Sequence, residues 1–545
     1  MVTIAVDFTT LSKEIGRGKK AIANALDSLG CTIEGDRVEI NPNRPDLFST
    51  VGVQRALKQY FLMEEYKDYR DRYRSGSSRM ECRVDERLRD IRPGIVCCAI
   101  KNVELDEKSM NELIELQEML HLTLGRKRAA AAIGLHDLDA VKPPFYYKME
   151  RKERKFIPLG ESSEWSLEEI LEQNEKGREY GDLIRGFDGY PLLVDSEDNV
   201  LSFPPIINGN LTTLSERTKN IFIDITGKNM KVLNDILGII VTDMADRFPE
   251  CEIKGIKIVR SSGSFETPNL EPEEEEINID ELRRLIGFRI GEKDIIQALK
   301  RMGHRPAVNK NKVQVLTPCY RNDLIHRNDL VEEVAIGYGY EKIKSKMPTT
   351  FGFAKENPIE KFSSLIRQMF TGMGFVETVS LSLSSKEEQF SMMNLKEKEC
   401  VEVLNPISGD TTILKWWVIP SLLSLLNANR HNELPQKIFE IGDVVSKVEN
   451  TTHLGCAIED RNADFREIKS ISEAFAKSIG LSVEYEKEIH ESFIEGRCAS
   501  MLSKGIRVGI IGELHPQVMN NFSLEAPVVA MEVDLSKLVV RDNEN

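Results

Sequence analysis

The chain of 545 residues lacks the sequence features of secreted, disulfide-bonded and membrane proteins. Its nine cysteines are odd in number and include no CxxC pair, which argues against a disulfide framework and against a zinc site. The N-terminus has no basic segment followed by an apolar run, so we expect no signal peptide. No apolar stretch is long enough to span a bilayer, and we therefore expect a cytoplasmic protein without membrane contact.

Internal repeats and low-complexity segments are also missing, and the composition is that of a globular protein with a sizeable core. The length predicts roughly three or four domains. The net charge of −15 disfavours nucleic acid as a partner, but such binding depends on local patches. Two basic patches, residues 126–128 and 148–155, are each more typical of solvated faces. They leave RNA binding open.

Hydrophobic periodicity predicts a multidomain α+β protein. Up to about residue 66 we expect strand, helix and strand, with an apolar helical face over residues 11–26 and a closing helix at 51–61. A basic run at 66–79 is interpreted as a linker, and the glutamates at 271–276 as a second boundary, because consecutive like charges rarely pack. Two helices, a hairpin and an acidic helix then predict a winged-helix-like module. Beyond residue 348 we expect one larger α+β domain, with a helix at 359–372 and a strand at 375–383.

The segment from residue 320 to 340 concentrates acidic side chains at Asp323, Asp329, Glu332 and Glu333. In a helix the last three share one face, where like charges repel unless donors or a cation offset them. One interpretation is a capping box, with Asp329 as the cap and Glu332 reaching back. The other is a Mg²⁺ site, because all the candidate ligands are hard oxygens. Capping alone leaves Asp323 and Glu333 without a role.

Several strings in this order resemble one family, the beta subunit of phenylalanine–tRNA ligase in its shorter archaeal and eukaryotic form. They are Asn41-Pro-Asn-Arg-Pro-Asp46, Gly125-Arg-Lys-Arg128, Ile133-Gly-Leu-His136-Asp137, Leu201-Ser-Phe-Pro-Pro-Ile-Ile-Asn208, Ile223-Asp-Ile-Thr-Gly227, the acidic segment ending Ala335-Ile-Gly-Tyr-Gly-Tyr340, Leu404-Asn-Pro406, Ile438-Phe-Glu-Ile-Gly-Asp443 and Ile511-Gly-Glu-Leu-His-Pro516.

The resemblance implies four domains and a partner subunit. The domains are an N-terminal α/β domain with linker (1–75), an editing and tRNA-binding domain (76–268), the winged-helix-like module with a metal site (269–347), and a class II synthetase-like antiparallel sheet domain without catalytic residues (348–545). Two alpha and two beta subunits would form the complex, and the alpha subunit would bind ATP and phenylalanine and charge tRNA(Phe). The sequence agrees that this chain does not activate amino acids, because it has no glycine-rich run ending in an ATP-binding arginine. Lys415, where many relatives carry arginine, does not restore such a site.

The resemblance also assigns two sets of residues. It places Mg²⁺, shared with the alpha subunit, on Asp323, Asp329, Glu332 and Glu333, in a structural role. It places hydrolysis of tyrosine wrongly attached to tRNA(Phe) in the second domain. Asp224 and Thr226 are the editing candidates, since both share one strand face with Phe222. Leu192, Ser202 and Asn208 are further candidates for the pocket.

Two other functions stay open. A free-standing Mg²⁺-dependent hydrolase would use the carboxylates between residues 323 and 333. A nucleic-acid-binding adaptor would be built around the winged-helix-like module, although the acidic helix argues against that reading. No Ser/His/Asp set for nucleophilic catalysis is evident, so any hydrolysis is expected to use a positioned water.

Overall fold

The computed structural model describes residues 2–74, 80–447 and 449–539, which form two compact units divided between Lys346 and Met347. Both units mix helices and strands, which confirms the predicted α+β class. Among the described residues, none of the helices combines the length and the apolar character needed to cross a membrane. Each unit is described below by itself.

The N-terminal part of the first unit is a three-stranded antiparallel sheet in the order β1-β3-β2, packed against three helices. The apolar spacing over residues 11–26 predicted one helical face, but the structure has two helices there. The first helix ends because Gly16 adopts a left-handed backbone conformation (φ 63°). The closing helix is confirmed. The elements are β1 (Val2–Ala5), α1 (Phe8–Ile15), α2 (Lys19–Ser28), β2 (Thr32–Glu34), β3 (Arg37–Ile40) and α3 (Thr50–Tyr60).

The run interpreted as a linker is packed structure up to residue 74. Tyr69 is buried, and its hydroxyl donates to Asp246 Oδ2 at 2.8 Å. A few residues later, β4 (Tyr73–Arg74) pairs with a strand of the following sheet. Residues 75–79, where the run ends, lie outside the described part. The linker prediction was wrong for 66–74 because aromatic side chains within the basic run supply core contacts.

An eleven-stranded mixed sheet dominates the first unit. Helices cover it, and two small strands pair separately beside it. In chain order the elements are β5 (Glu81–Val84), β6 (Gly94–Lys101), α4 (Glu107–Leu122), β7 (Ala131–Asp137), β8 (Phe145–Glu150), β9 (Lys155–Phe156), β10 (Trp165–Ser166), α5 (Leu167–Gln173), α6 (Glu175–Tyr180), β11 (Tyr190–Val194), β12 (Val200–Phe203), β13 (Ile207–Asn208), β14 (Asn220–Gly227), α7 (Met230–Arg247), β15 (Glu252–Arg260) and β16 (Gly263–Thr267).

Strand β14 lies inside this sheet, antiparallel to both β6 and β7. Its isoleucines at 221, 223 and 225 pack into the core that contains α7. Phe222 packs into the separate core on the opposite face, so the predicted alternation is confirmed. The strand therefore presents Asp224 and Thr226 on the face away from α7.

A small module completes the first unit, with three helices and a three-stranded sheet in the order β17-β19-β18. Four of the glutamates interpreted as a boundary, residues 273–276, begin strand β17, which is the first strand of this module. Because β17 is an edge strand, its charges stay solvated while Ile277 alone enters the core. The elements are β17 (Glu273–Asn278), α8 (Ile279–Ile286), α9 (Glu292–Arg301), β18 (Arg305–Asn309), β19 (Lys312–Thr317) and α10 (Arg327–Tyr338).

The second unit has a seven-stranded sheet in the order β20-β23-β24-β28-β27-β26-β25. The strand expected at 375–383 exists only as two short pieces, and Val379 between them is 90% exposed. The elements are α11 (Pro358–Gly372), β20 (Val376–Glu377), β21 (Leu383–Ser384), β22 (Ile413–Leu414), α12 (Ile419–Ala428), β23 (Gln436–Ser446), β24 (Glu449–Glu459), α13 (Phe465–Ser478), β25 (Glu484–Lys487), β26 (Phe493–Ser503), β27 (Ile506–Leu514), α14 (Pro516–Asn521) and β28 (Val528–Asp534).

Lys415 forms a buried ion pair in the second unit. Its Nζ lies 2.6 Å from Glu440 Oε1, and both side chains are almost completely buried. Ser380 completes the cluster, since its hydroxyl accepts from Lys415 Nζ at 2.8 Å and donates to Glu440 Oε2 at 2.7 Å. The position is therefore a structural one.

We predict that Lys415→Met lowers the free energy of unfolding of the second unit by about 3–5 kcal/mol, because Glu440 is left buried without its partner. Replacing both residues, with Glu440→Leu, should recover much of the loss. The matched control is Lys437→Met, whose pair with Glu467 has a 2.8 Å separation but is partly exposed, so its effect should stay below about 1 kcal/mol. Urea unfolding followed by tryptophan fluorescence measures all three. Equal losses for the two lysine variants would contradict the assignment.

Candidate functional site

A cavity of about 470 Å³ opens on the face of β14 that carries Asp224 and Thr226. Its wall comes from α4, from β7, from the segment after β12 and from the start of α6. Ser202 and Asn208 also line it, so the structure brings together four of the five predicted pocket residues. The cavity volume is within the range typical of small-molecule sites.

Asp224 is held by a histidine on the neighbouring strand. The β7–β14 register places Gly134 opposite Asp224, and His136 follows two residues later on the same face. His136 Nε2 lies 2.7 Å from Asp224 Oδ1, and His136 Nδ1 lies 2.8 Å from Thr212 Oγ1. A Cβ at position 134 would lie 2.3 Å from the same Asp224 oxygen. Glycine at 134 is therefore required for the His136–Asp224 contact.

Thr226 is held by a buried arginine. Arg92 Nε donates to Thr226 Oγ1 at 2.9 Å, and Arg92 Nη2 donates to the Thr226 carbonyl at 2.6 Å. Burial lowers the pKa of Arg92 to about 10. Because Thr226 Oγ1 accepts from arginine, its own proton remains available for a group in the cavity.

The remaining predicted residues differ in what they offer. Ser202 Oγ is buried and has no hydrogen-bond partner among the residues that the structure describes, which is costly unless a ligand supplies one. The Asn208 side-chain amide donates a long hydrogen bond of 3.5 Å to the Leu135 carbonyl. Leu192 is a correction: β11 is buried on both faces and places this side chain fully in the core, so it does not line the cavity.

A second acid–histidine pair lies at the cavity rim. His121 Nδ1 is 3.2 Å from Glu118 Oε1, and His121 Nε2 accepts from the Ile133 amide at 2.8 Å. The hydrogen bond from His121 and the nearby Arg128 guanidinium lower the pKa of Glu118 to about 2. Burial lowers the pKa of His121, which favours the neutral ring. Since both ring nitrogens are engaged, this pair has no free base and has a structural role.

Three family descriptions match successive parts of the chain: the B3/4 domain at 102–248, the tRNA synthetase B5 domain at 275–340, and the phenylalanyl tRNA synthetase beta chain CLM domain at 343–535. The phenylalanine–tRNA ligase beta subunit of Methanosarcina barkeri is 37% identical over 547 residues, covering 99% of both chains. This chain belongs to the phenylalanine–tRNA ligase beta subunit family. The beta subunit of Pyrococcus furiosus is 40% identical over 505 residues, 91% of this chain and 90% of that one.

A solved structure is similar to the first part of the chain. The N-terminal fragment of the Pyrococcus horikoshii phenylalanyl-tRNA synthetase beta subunit aligns with a TM-score of 0.57 and 38% identity. It covers 62% of this chain and all of the fragment. The cavity described above lies within the B3/4 match of this beta-subunit family.

The carboxylates predicted to bind Mg²⁺ are arranged around an arginine. Arg321 donates to both oxygens of Asp323 at 2.8 Å and lies 2.8 Å from Glu333 Oε1. His304 Nε2 adds a contact of 2.8 Å to Glu333 Oε2. Burial alone would raise the pKa of Glu333, but Arg321 and His304 outweigh it and hold the pKa below its ordinary value. The buried cation here is a guanidinium.

The other two carboxylates take separate roles. His326, not Asp329, is the N-cap of α10, and the Asp329 carboxylate accepts from the amides of Ile325 and His326 at 2.7 and 2.8 Å. The capping-box prediction therefore had the right motif in the wrong register, because the helix begins three residues earlier. Glu332 does not reach back to the cap and is exposed.

Mg²⁺ bound jointly by the four carboxylates does not fit this arrangement. Two of them are engaged by Arg321, a third is engaged by backbone amides, and only Glu332 is free. Across residues 2–74, 80–447 and 449–539, no three His, Cys, Asp or Glu side chains converge as a metal site requires. The free-standing Mg²⁺-dependent hydrolase loses its proposed centre with this geometry.

The sequence reasoning missed four residues that shape the cavity: His136, Gly134, Arg92 and Arg128. A glycine and a histidine two positions apart in a predicted strand indicate one face, but only the strand register shows that Asp224 lies opposite. Arg92 has no local signal, because it reaches Thr226 from a loop 134 residues earlier in the chain.

We predict that the α10 region loses stability on acidification in two steps. Burial lowers the pKa of His304, so the unfolded chain binds its proton first, below about pH 6.5. Glu333 has a lowered pKa in the fold, so its contribution is complete above about pH 4.3 and is lost as the pH falls further. Glu333→Gln should lower the unfolding free energy at pH 7 by about 3–5 kcal/mol and flatten the acid step.

Hydrogen exchange of α10 peptides between pH 3 and 7, corrected for the intrinsic exchange rate, measures both effects. Glu332→Gln is the matched control, because it makes the same change at the adjacent exposed residue and should leave the profile as in the wild type. Identical profiles for the two variants would contradict the buried-cluster assignment.

Proposed function

We propose that this chain is the editing and tRNA-binding subunit of a phenylalanine–tRNA ligase, and that it hydrolyses tyrosine attached in error to tRNA(Phe). The observation that carries the proposal is the cavity over β14, in which the buried Asp224 carboxylate faces the ligand space within the B3/4 match. A synthetase pocket for phenylalanine rejects an added hydroxyl only about a hundredfold, so a hydrolytic second site has a clear purpose.

Recognition of the tyrosine hydroxyl follows from the polar groups of the cavity. Asp224 Oδ1 is in contact with His136. The second carboxylate oxygen of Asp224 accepts no hydrogen bond from the described residues, so it can accept one from the phenol hydroxyl. Phenylalanine in the same place would leave that oxygen buried and unpaired, at a cost of about 1–3 kcal/mol or more. Phe222 lies on the same strand face as Asp224, but it packs into the core and does not line the cavity. Ser202 Oγ is a further unsatisfied group for the substrate.

Hydrolysis in this cavity would use water as the nucleophile. Water oxygen adds to the ester carbonyl carbon, the bond from that carbon to the ribose oxygen breaks, and the ribose oxygen takes the proton. The histidines at 121 and 136 have their ring nitrogens in fixed contacts, so neither is free to act as the base. Thr226 retains a proton with which to orient the water or the ester, and the RNA's neighbouring hydroxyl can assist.

The complex in which this chain works is also part of the proposal. The family match supports an alpha subunit as partner, and we propose two alpha and two beta subunits, with ATP and phenylalanine bound by alpha. We propose that the module from β17 to α10 is winged-helix-like and that the second unit is a class II synthetase-like fold without catalytic residues. The buried Lys415–Glu440 pair supports the latter, because it occupies that position with a structural contact.

The decisive prediction concerns Asp224. Asp224→Ala should slow deacylation of Tyr-tRNA(Phe) about ten- to hundredfold, because the acceptor for the phenol proton is lost. Deacylation of purified Tyr-tRNA(Phe) by the complex with an alpha subunit is the measurement. Charging with phenylalanine should stay unchanged and reports that the complex is assembled.

Asp188→Ala is the matched control, since Asp188 is an exposed aspartate in the same unit and its side chain has no hydrogen bond or ion pair in the described part of the chain. It should leave deacylation at the wild-type rate. Full deacylation by Asp224→Ala would remove the editing assignment, and failure to associate with any alpha subunit would remove the whole proposal.

A further inference from the structure

Two neighbouring cations near the cavity rim have no counter-charge. Arg126 and Lys127 are exposed, and neither side chain has a hydrogen bond or an ion pair within residues 2–74, 80–447 and 449–539. The second basic patch of the sequence is different. Lys148 lies 2.8 Å from Glu150 and 2.9 Å from Asp198, and Arg154 lies 2.8 Å from Asp198. The first patch therefore keeps its charge for a partner, whereas much of the second is neutralised within the fold.

Arg126 and Lys127, together with Arg128, form a corner of the backbone. The contacts of Arg128 fix the position of this corner. Arg128 lines the cavity, and its guanidinium donates to the Ile206 carbonyl at 2.8 Å and to Glu118 at 3.1 Å. It also lies over the Tyr180 ring, 4.6 Å from the centroid. Consecutive Cα atoms are about 3.8 Å apart, so Arg126 and Lys127 lie within about two such steps of the cavity-lining residue Arg128.

The backbone of the corner is unusual in a way that supports a function. Arg126, Lys127 and Arg128 have φ values of 48°, 52° and 65°, and none of them is glycine. Each such residue costs on the order of 1 kcal/mol, and such strain concentrates at binding and catalytic sites. The Arg92 guanidinium, which also holds Thr226, donates to the Arg128 carbonyl at 3.1 Å. Arg92 thus contacts both the strained corner, at Arg128, and the cavity-lining residue Thr226.

The size of the cavity decides what must cross its rim. About 470 Å³ accommodates an aminoacyl group with little more than its ribose, so the rest of the RNA strand has to leave over the edge. Each further nucleotide carries one negative phosphate, and a chain of net charge −15 needs local cations to accept it.

We propose that Arg126 and Lys127 bind the phosphates of the single-stranded 3′ end of the RNA whose aminoacyl group occupies the cavity. The inference rests on the proposed function and adds the path of the substrate strand. Cations that contact phosphates raise affinity without reading bases, so the corner acts on the binding of long substrates and not on the chemistry in the cavity.

The test compares two substrates. One is Tyr-tRNA(Phe), and the other is tyrosine esterified to the 3′ hydroxyl of adenosine, which fills the cavity but lacks the strand. In the complex with an alpha subunit, Arg126→Gln with Lys127→Gln should lower kcat/KM for the tRNA on the order of tenfold, mainly through KM. Hydrolysis of the adenosine ester should be unchanged. The plot of log KM against log salt should become less steep by about 1.4.

Two further double variants make the result specific. Arg126→Lys with Lys127→Arg keeps both charges and should retain most of the affinity for the tRNA. Lys13→Gln with Lys20→Gln removes the same charge from exposed residues of the N-terminal part and should have no effect.

Each contrary outcome has one meaning. An unchanged KM and salt slope for the tRNA in the Arg126→Gln, Lys127→Gln variant would overturn the inference. So would an equal loss on both substrates, since the corner would then act on the shape of the cavity. If the wild-type complex hydrolyses neither substrate, the editing proposal itself fails and the inference fails with it.

Discussion

Burial of strand β14 on both faces is the constraint on which the rest of the site depends. The isoleucine face packs against α7, and the other face has to enclose a carboxylate and a hydroxyl away from bulk water. A buried polar group without a hydrogen-bond partner lowers the stability of the fold by about 1–3 kcal/mol. His136 and Arg92 supply those partners, and Gly134 leaves the space in which the first of them reaches Asp224. The geometry of the site thus follows from the need to give each buried polar group of the sheet a hydrogen-bond partner.

The carboxylate segment shows the same rule with a different outcome. Four acids within eleven residues require compensation, and hard oxygens make Mg²⁺ an obvious candidate. In this chain the compensation comes from Arg321, from His304 and from the backbone amides at the start of α10. Because a guanidinium holds two carboxylates in a planar fork, it can replace a divalent ion as the centre of such a cluster. Only Glu332 keeps a free carboxylate, and it faces solvent.

Local patterns predicted most elements of the fold and part of the site. The helices α3 and α11 and the alternation of β14 follow from periodicity, which depends on residues that are close in sequence. Errors arose where long-range contacts decide. The basic run before residue 75 packs through Tyr69 onto Asp246. The contact of His136 with Asp224 and the burial of Leu192 likewise depend on how the strands pair, which a single sequence does not contain. Arg92 reaches Thr226 from a loop 134 residues earlier in the chain.

In the proposed function, the buried cavity recognises the amino acid and the exposed residues 126 and 127 bind the RNA phosphates. The two kinds of contact differ in their exposure to water. Inside the cavity, the Asp224 carboxylate alone could distinguish tyrosine from phenylalanine, because an oxygen that phenylalanine leaves unpaired would not be hydrated by bulk water. At the rim, water weakens each ion pair, so several cations are needed where one would serve inside. The corner at 126–128 meets that need by holding Arg128 in the wall and directing two charges outward, at the cost of three left-handed residues. Such a conformation persists only where surrounding contacts determine it, and here those contacts are the ones that also build the cavity. Under the proposed function, specificity for the amino acid and affinity for the RNA strand would therefore depend on neighbouring parts of the chain but on different physical interactions.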